Sequence, residues 1–248
     1  MPAPARFRVR TGRGSFDHEA PADDRPERGL FWVGLADDEP ETIGEFERLV
    51  SAMPGIVVLD VGANRGIFSL VALAASPTCT VVAVEPTEGT ADHLESVVAL
   101  NGWAERLRLV RAAAADHEGT MSFEVPRNPF PCHASLVGVG KAPVAGSAVV
   151  EVPVTTLDAL VEGADIVKID VEGAEHLVLA GMHRLLATSR PSIIMEVLPE
   201  SQLAKCASIL RQHNYEFFHL TKAGPVQRDR LEPDQSRNDR NYLCRPRS

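Results

Sequence analysis

The hydrophobic positions fall into short unbroken runs, separated by stretches in which apolar residues recur every three or four places. The runs Ile56-Val57-Val58-Leu59, Thr80-Val81-Val82-Ala83-Val84, Ile166-Val167-Lys168-Ile169 and Ser192-Ile193-Ile194-Met195 are rich in β-branched residues and bounded by turn residues, the pattern of strands buried on both faces. Between them Ile67, Phe68, Leu70, Val71 and Ala74 keep helical spacing until Ser76-Pro77 stops them, as do Leu94, Val97 and Val98. Further helical faces are Leu177, Val178, Gly181 and Leu185 in one helix, and Leu203, Ala207 and Leu210 in a helix from Glu200 to His213. Strands that alternate with helices predict an α/β fold with a doubly wound, mostly parallel sheet.

Fainter runs fill in the rest. Leu107–Ala112, Met121–Val125, Val149–Val154, Tyr215–Leu220 and Asn241–Cys244 read as further strands, and Thr156–Leu160 as a short helical turn. Asp38 and Pro40 open a helix in which Ile43, Phe46, Leu49 and Val50 share a face. Residues 1–28, rich in Pro, Asp, Arg and Gly, suggest an arm or irregular strands. The apolar patch Leu30-Phe31-Trp32-Val33 can serve as core, lid or subunit contact, which leaves a homo-oligomer open. The expected division is an N-terminal extension with its helix over 1–54 and one domain over 55–248. A Pro- and Gly-rich insertion at about 126–147 is long enough to be a substrate-facing loop.

The buried runs end in acids, and two of them open into glycine turns. Asp60 closes the first run, and Gly62-Ala63-Asn64-Arg65-Gly66 leads from it into a helix, the place where an open α/β sheet binds ligands. Glu85, followed by Pro86, tips the second strand about 20 residues beyond that loop, where a carboxylate can accept hydrogen bonds from both ribose hydroxyls. The turn after the third strand, Ala113-Ala114-Ala115-Asp116, has small residues that suit the edge of an adenine ring, and Asn101 lies in the preceding C-cap. Asp170, Glu172 and Glu175 crowd the end of the fourth buried strand and Glu196 ends the fifth. Acids so close need a cation or a hydroxyl donor as partner.

Charge and cysteine usage narrow the partners. The formal net charge of −9 offers no basic face for phosphates, so a nucleic-acid substrate is not expected. Cys79, Cys132, Cys206 and Cys244 show neither disulfide nor zinc-ligand spacing and read as reduced thiols. The acids offer hard oxygen ligands to a divalent cation, but no spacing requires one, and no metal is expected. The first residues lack a secretory apolar core and no stretch reaches the ~20 apolar residues of a membrane span, so a cytoplasmic protein without membrane contact is expected.

Together these motifs resemble the FkbM family of S-adenosylmethionine (SAM)-dependent methyltransferases. The resemblance rests on Leu59-Asp60-Val61-Gly62-Ala63-Asn64-Arg65-Gly66-Ile67-Phe68-Ser69-Leu70, Val84-Glu85-Pro86, Thr156-Leu157-Asp158, Val167-Lys168-Ile169-Asp170-Val171-Glu172-Gly173-Ala174-Glu175 and Asn241-Tyr242-Leu243. It implies the class I methyltransferase fold, a Rossmann-like sheet of seven strands with helices on both faces and an antiparallel last strand. It also implies SAM as cofactor and methyl transfer to a hydroxyl of a sugar or natural product. On this reading Gly62, Asn64 and Gly66 hold the methionine end of the cofactor, Glu85 the ribose, and Ala113, Ala114 and Asp116 the adenine edge. Asp60 shapes the loop, and Ala63, Pro86, Asn101 and Asp170 complete the cofactor's surroundings.

Methyl transfer to oxygen needs a base, for which Asp170 is the first candidate, with Glu172, Glu196 and His133 of the insertion as the others. Three alternatives stay open: an N- or carboxyl-methyltransferase, a nicotinamide-dependent oxidoreductase, and a SAM-binding module without catalysis. The loop spacing Gly62-x-Asn64-x-Gly66, without the third glycine of a dinucleotide fingerprint, argues against the oxidoreductase.

Overall fold

A computed structural model describes residues 5–20, 34–37, 39–126, 134–139, 146–199, 201–233 and 240–247. The expected patch at Leu30–Val33, Cys132 and His133 lie outside the described residues. The chain opens with a hairpin of β1 (Ala5–Arg10) and β2 (Ser15–Ala20), followed by α1 (Pro40–Val50), β3 (Val57–Val61), α2 (Ile67–Ala75), β4 (Thr80–Val84) and α3 (Glu88–Leu100). Next come β5 (Leu107–Val110), β6 (Ala113–Ala114), β7 (Gly119–Val125), β8 (Ser135–Leu136), β9 (Ala148–Thr155), α4 (Leu157–Leu160) and β10 (Ile166–Ile169). The chain continues through α5 (Glu175–Ala180), α6 (His183–Thr188), β11 (Ser192–Glu196), α7 (Leu203–Gln212), β12 (Tyr215–Thr221), β13 (Gly224–Arg228) and β14 (Asn241–Pro246).

The main sheet runs β13-β12-β14-β11-β10-β3-β4-β5. From β5 to β11 neighbouring strands are parallel, and β14 enters antiparallel between β11 and β12. This mostly parallel sheet has one strand more than the seven that the resemblance implies. The addition, β13, extends β12 as a hairpin; its residues are half-buried or exposed and left no apolar run to find. The weaker strands β6 to β9 do not join the main sheet but form a second sheet, β6-β9-β7-β8, at the carboxyl end of the parallel strands.

The central strands are largely apolar because helices cover both faces, with Asp60 in β3 and Lys168 in β10 as buried charged exceptions. On one face Leu59, Val61, Val167, Ile169 and Met195 pack under Val178, Leu179, Leu185 and Leu210. On the other, Val58, Val81, Ile166, Ile194 and Leu243 meet Phe46 and Val50 of α1, Leu70 and Val71 of α2, and Val9 and Phe16 of the hairpin. The N-terminal hairpin and helix therefore share the core of the main domain. Of the arm or irregular strands expected over residues 1–28, the described residues 5–20 form this hairpin of two strands, whose Arg6, Arg8 and Arg10 alternate with the inward Phe7 and Val9.

A second departure lies at the helix expected from Leu177 through Leu185. It breaks into α5 and α6 at Gly181-Met182. A Cβ on Gly181 would lie 2.0 Å from the carbonyl oxygen of Ala115. The chain turns there to pack against the strand-to-turn segment that borders the cleft.

Candidate functional site

The site grows from the carboxyl ends of β3, β4, β10 and β11. Gly62 takes φ +74° and Asn64 φ +50°, so the main chain folds back on itself right after β3. A Cβ on Gly62 would come 1.9 Å from the carbonyl oxygen of Asp170, which makes this glycine the contact that sets the first loop against the fourth strand. Asp60, 2% exposed, accepts hydrogen bonds from the amide (2.9 Å) and hydroxyl (2.6 Å) of Ser69 and so pins the loop to the first turn of α2. Burial pushes its carboxyl up to about 6, a rise held in check by Ser69 and by Lys168.

Glu85 is 6% exposed, and its two oxygens accept from the amide of Asn64 (2.9 Å), the amide of Thr87 (2.8 Å) and the hydroxyl of Thr90 (3.1 Å). Burial raises its carboxyl above the ordinary range while these donors pull it back. The side chain is thus fixed at the cleft wall before any ligand arrives.

At the other wall, Glu175 of α5 accepts from the amide of Gly173 (3.0 Å) and the hydroxyl of Ser201 (2.7 Å). These bonds brace the turn that carries Asp170, Glu172 (φ +55°) and Gly173 (φ +106°). Strand pairing brings the remaining groups together: Lys168 lies beside Asp60, and Glu196 lies opposite Asn241.

These walls enclose a cleft of about 770 Å³, its open mouth and the solvent in it included. Gly62, Asn64, Glu85 and Pro86 line one side, Ala113 and Ala114 the second, and Asp170, Glu172 and Glu196 the third. The cleft also has an apolar wall of Val84, Ala112, Phe123, Ala134, Leu136, Val171 and Ala174, which the sequence reading missed. Phe123 and Leu136 come from the second sheet, whose placement over the cleft depends on tertiary packing; Phe123 lay in an expected strand and Leu136 in the expected loop, and neither had a legible partner.

Other expected site residues lie elsewhere. Asp60 and Ala63 sit beneath the loop and off the cleft lining. Gly66 is a packing residue: at φ +79°, its Cβ would lie 2.2 Å from Cδ1 of Leu94. Asn101 also lies off the lining: its side chain accepts from the amide of Asp17 (2.8 Å) and donates to the carbonyls of Asp17 (2.7 Å) and Val97 (2.8 Å), tying α3 to the hairpin. Asp116 is also off the lining, half-exposed and 2.7 Å from Nδ1 of His117.

The model of the methyltransferase FkbM domain matches residues 60–217, from Asp60 through Phe217. The chain belongs to the FkbM methyltransferase family. Its fold is also that of an FkbM methyltransferase from Methylobacillus flagellatus (18% identity, TM-score 0.51), aligned over 90% of this chain and 55% of the other. The chain thus spans about half the length of that relative. A precorrin-6y C5,15-methyltransferase from Geobacter metallireducens shares the fold at 17% identity and TM-score 0.51, over 84% of this chain and 89% of its own. A SAM-dependent methyltransferase from Agrobacterium tumefaciens does so at 12% identity and TM-score 0.51, over 97% and 70%. No protein with a curated description matches the sequence.

The cofactor of this family is SAM, and the cleft suits it. Gly62 leaves room at the main chain that a Cβ would fill, Glu85 presents fixed carboxylate oxygens, and small alanines border the second side. Glu85, Asp170, Glu172 and Glu196, the ionisable groups lining the cleft among the described residues, are acidic, which matches a ligand bearing a sulfonium and an ammonium. Among the described residues there is no cluster of three or more metal-ligating side chains, and no helix is long and apolar enough to cross a membrane.

Proposed function

We propose that the protein transfers a methyl group from SAM to a hydroxyl oxygen of a small molecule such as a sugar or natural product, with Asp170 as the general base. The observation that carries this reading is the position of Asp170: its carbonyl abuts Gly62 of the proposed cofactor loop, and the residue lines the same cleft as Glu85. Gly62 and Asn64 would hold the methionine end, Glu85 the ribose, and Pro86, Ala113 and Ala114 the adenine side.

SAM, when bound, supplies a methyl carbon open to in-line attack. The protein's part is to hold the acceptor oxygen within about 3–3.5 Å and to take its proton as the new bond forms. Asp170 accepts that proton at a carboxylate oxygen. Glu196 is 8% exposed, and its carboxyl is raised by burial and by the nearby Asp170, so it offers an O–H to orient the acceptor. The apolar wall of Phe123, Leu136 and Val171 excludes water from the far side. A carboxylate acceptor fits less well against a lining whose ionisable groups are acidic.

Calorimetric titration with SAM, S-adenosylhomocysteine (SAH) and NAD tests the cofactor sites. Micromolar binding of the first two, lost in Glu85→Ala, is expected; binding of NAD alone overturns the reading. A screen of hydroxylated sugars and natural products then identifies the acceptor, with amines as the competing arm. Asp170→Asn should bind SAM within a few-fold of wild type while turnover falls about 100-fold or more. Unchanged turnover in that variant passes the role of base to Glu172 or Glu196.

A further inference from the structure

Beneath the carboxylates of the cleft lies a cation that no step above uses. Lys168 occupies the middle of β10, 1% exposed, in a strand whose other residues are aliphatic and buried. Its Nζ stands 3.4 Å from Oδ2 of Asp170 and 3.4 Å from Oδ1 of Asn241, and 4.8 Å from the centre of the Phe68 ring. Asn241, 1% exposed at the start of β14, donates its Nδ2 to Oε2 of Glu39 at 2.9 Å. Glu39 itself takes a left-handed conformation (φ 49°, ψ 54°) just ahead of α1, an arrangement a non-glycine residue adopts only when its surroundings hold it there.

We infer that Lys168 is a positioning residue that holds the Asp170 carboxylate in the cleft, and that Asn241 and Glu39 hold Lys168 in turn, so that the N-terminal element helps set the charge facing the bound sulfur. This rests on the reading of Asp170 given above. Residues two apart on a strand share a face, so Lys168 points to the same side of the sheet as Asp170, and strand register puts Asp60 beside it. An ammonium buried in a sheet is costly unless it is compensated. Burial works to discharge Lys168, but Asp170, Glu39, Glu196 and Asp60 outweigh it and keep the charge.

The groups facing this centre come from several elements: Asp60 from β3, Glu196 from β11, Glu39 ahead of α1, Glu172 from the loop after β10 and Glu175 from α5. Arg240, ahead of β14, approaches Glu196 at 3.8 Å. One ammonium shared among these carboxylates decides which of them stays ionised. Lys168 touches Asp170 directly and Glu196 only through space, so its charge sits closest to Asp170.

SAM carries a sulfonium and SAH a neutral thioether, so the ratio of their affinities reads the charge facing the sulfur. The experiment measures that ratio by calorimetry from pH 5 to pH 9 for wild type, Asp170→Asn, Lys168→Met and Glu39→Gln, with a melting curve for each. In wild type the preference for SAM rises with pH. Asp170→Asn lowers it by about three- to tenfold at neutral pH while SAH affinity holds. In Lys168→Met the rise moves to higher pH by about one unit, roughly tenfold on the slope, because the carboxylates then keep their proton longer.

Glu39→Gln keeps an oxygen for Asn241 but removes a charge that competes for Lys168, so its profile moves the opposite way, by about two- to threefold. A folded Lys168→Met with the wild-type profile overturns the inference. Should that variant fail to fold, an unshifted Glu39→Gln profile overturns it alone. A ratio unchanged in Asp170→Asn instead removes the Asp170 reading itself, a different result from either.

Discussion

Gly62 and Gly66 stand four residues apart in one loop, both with positive φ, yet they face opposite kinds of obstacle. A Cβ at Gly62 would overlap the backbone carbonyl of Asp170, which cannot yield without moving the end of β10. A Cβ at Gly66 would overlap the tip of Leu94, a side chain with other rotamers and neighbours that can adjust. Gly62→Ala should therefore cost well over ~1 kcal/mol and displace Asp170, with SAM affinity falling more than tenfold in calorimetry. Gly66→Ala should destabilise to a lesser degree and leave the affinity of the folded protein within a few-fold. Its cost should be less than additive with Leu94→Ala in a double-mutant cycle of melting free energies. The sequence showed that both positions are glycines in the turn after the first buried strand. It did not show that one serves the cleft and the other serves α3, because that distinction depends on residues 28 and 108 positions further along the chain.

At the scale of elements, the parallel strands and their helices were legible because burial on both faces leaves mostly apolar runs, as in Val57–Val61 and Ile166–Ile169, each broken by a single charged residue. The acid closing each run was legible for the same reason: Glu85, Asp170 and Glu196 are carboxylates where the apolar pattern stops, and the cleft gathers them. Elements whose partner is distant in sequence were harder. The hairpin β1–β2 carries a strand's alternation at Phe7, Val9, Phe16 and His18, but arginines and acids between them left an arm and irregular strands equally open. Lys168 was visible as a charge inside a buried run, a signal that a partner had to exist, though only the register of β3, β10, β11 and β14 shows which. Asn101, offered both as a cap and as part of the cofactor's surroundings, fastens the hairpin to α3 through three hydrogen bonds that only the fold reveals. Asn101→Ala should lower stability by about 1–3 kcal/mol, since it leaves the Asp17 amide and carbonyl without that partner. SAM affinity should stay unchanged; a selective loss of SAM affinity at undiminished stability would restore Asn101 to the cofactor site.

For the molecule as a whole, folding gathers Asp60, Glu85, Glu175 and Glu196 in buried positions, and burial raises the carboxyl of each. An acid whose proton is held more tightly in the folded state than in the unfolded one stabilises the fold below its unfolded value, and that contribution fades as pH rises through the folded one. Asp60 alone, moved from 3.8 to about 6, implies a loss of about 3 kcal/mol across that window. Lys168, raised by its carboxylate neighbours, works the same way but only above its ordinary value of 10.5. The ligand-free protein should therefore melt at its highest temperature on the acid side of neutrality and lose several degrees between pH 5 and pH 8. Asp60→Asn should flatten the part of that decline that falls between pH 4 and pH 6. SAM brings positive charge to a cleft lined by Glu85, Asp170, Glu172 and Glu196, and a bound cation favours their ionised forms. Saturating SAM should accordingly raise the melting temperature more at pH 8 than at pH 5, with SAH showing the smaller difference. Equal shifts at both pH values would mean that the acids of the cleft do not face the charge of the cofactor, and that their burial serves the fold alone.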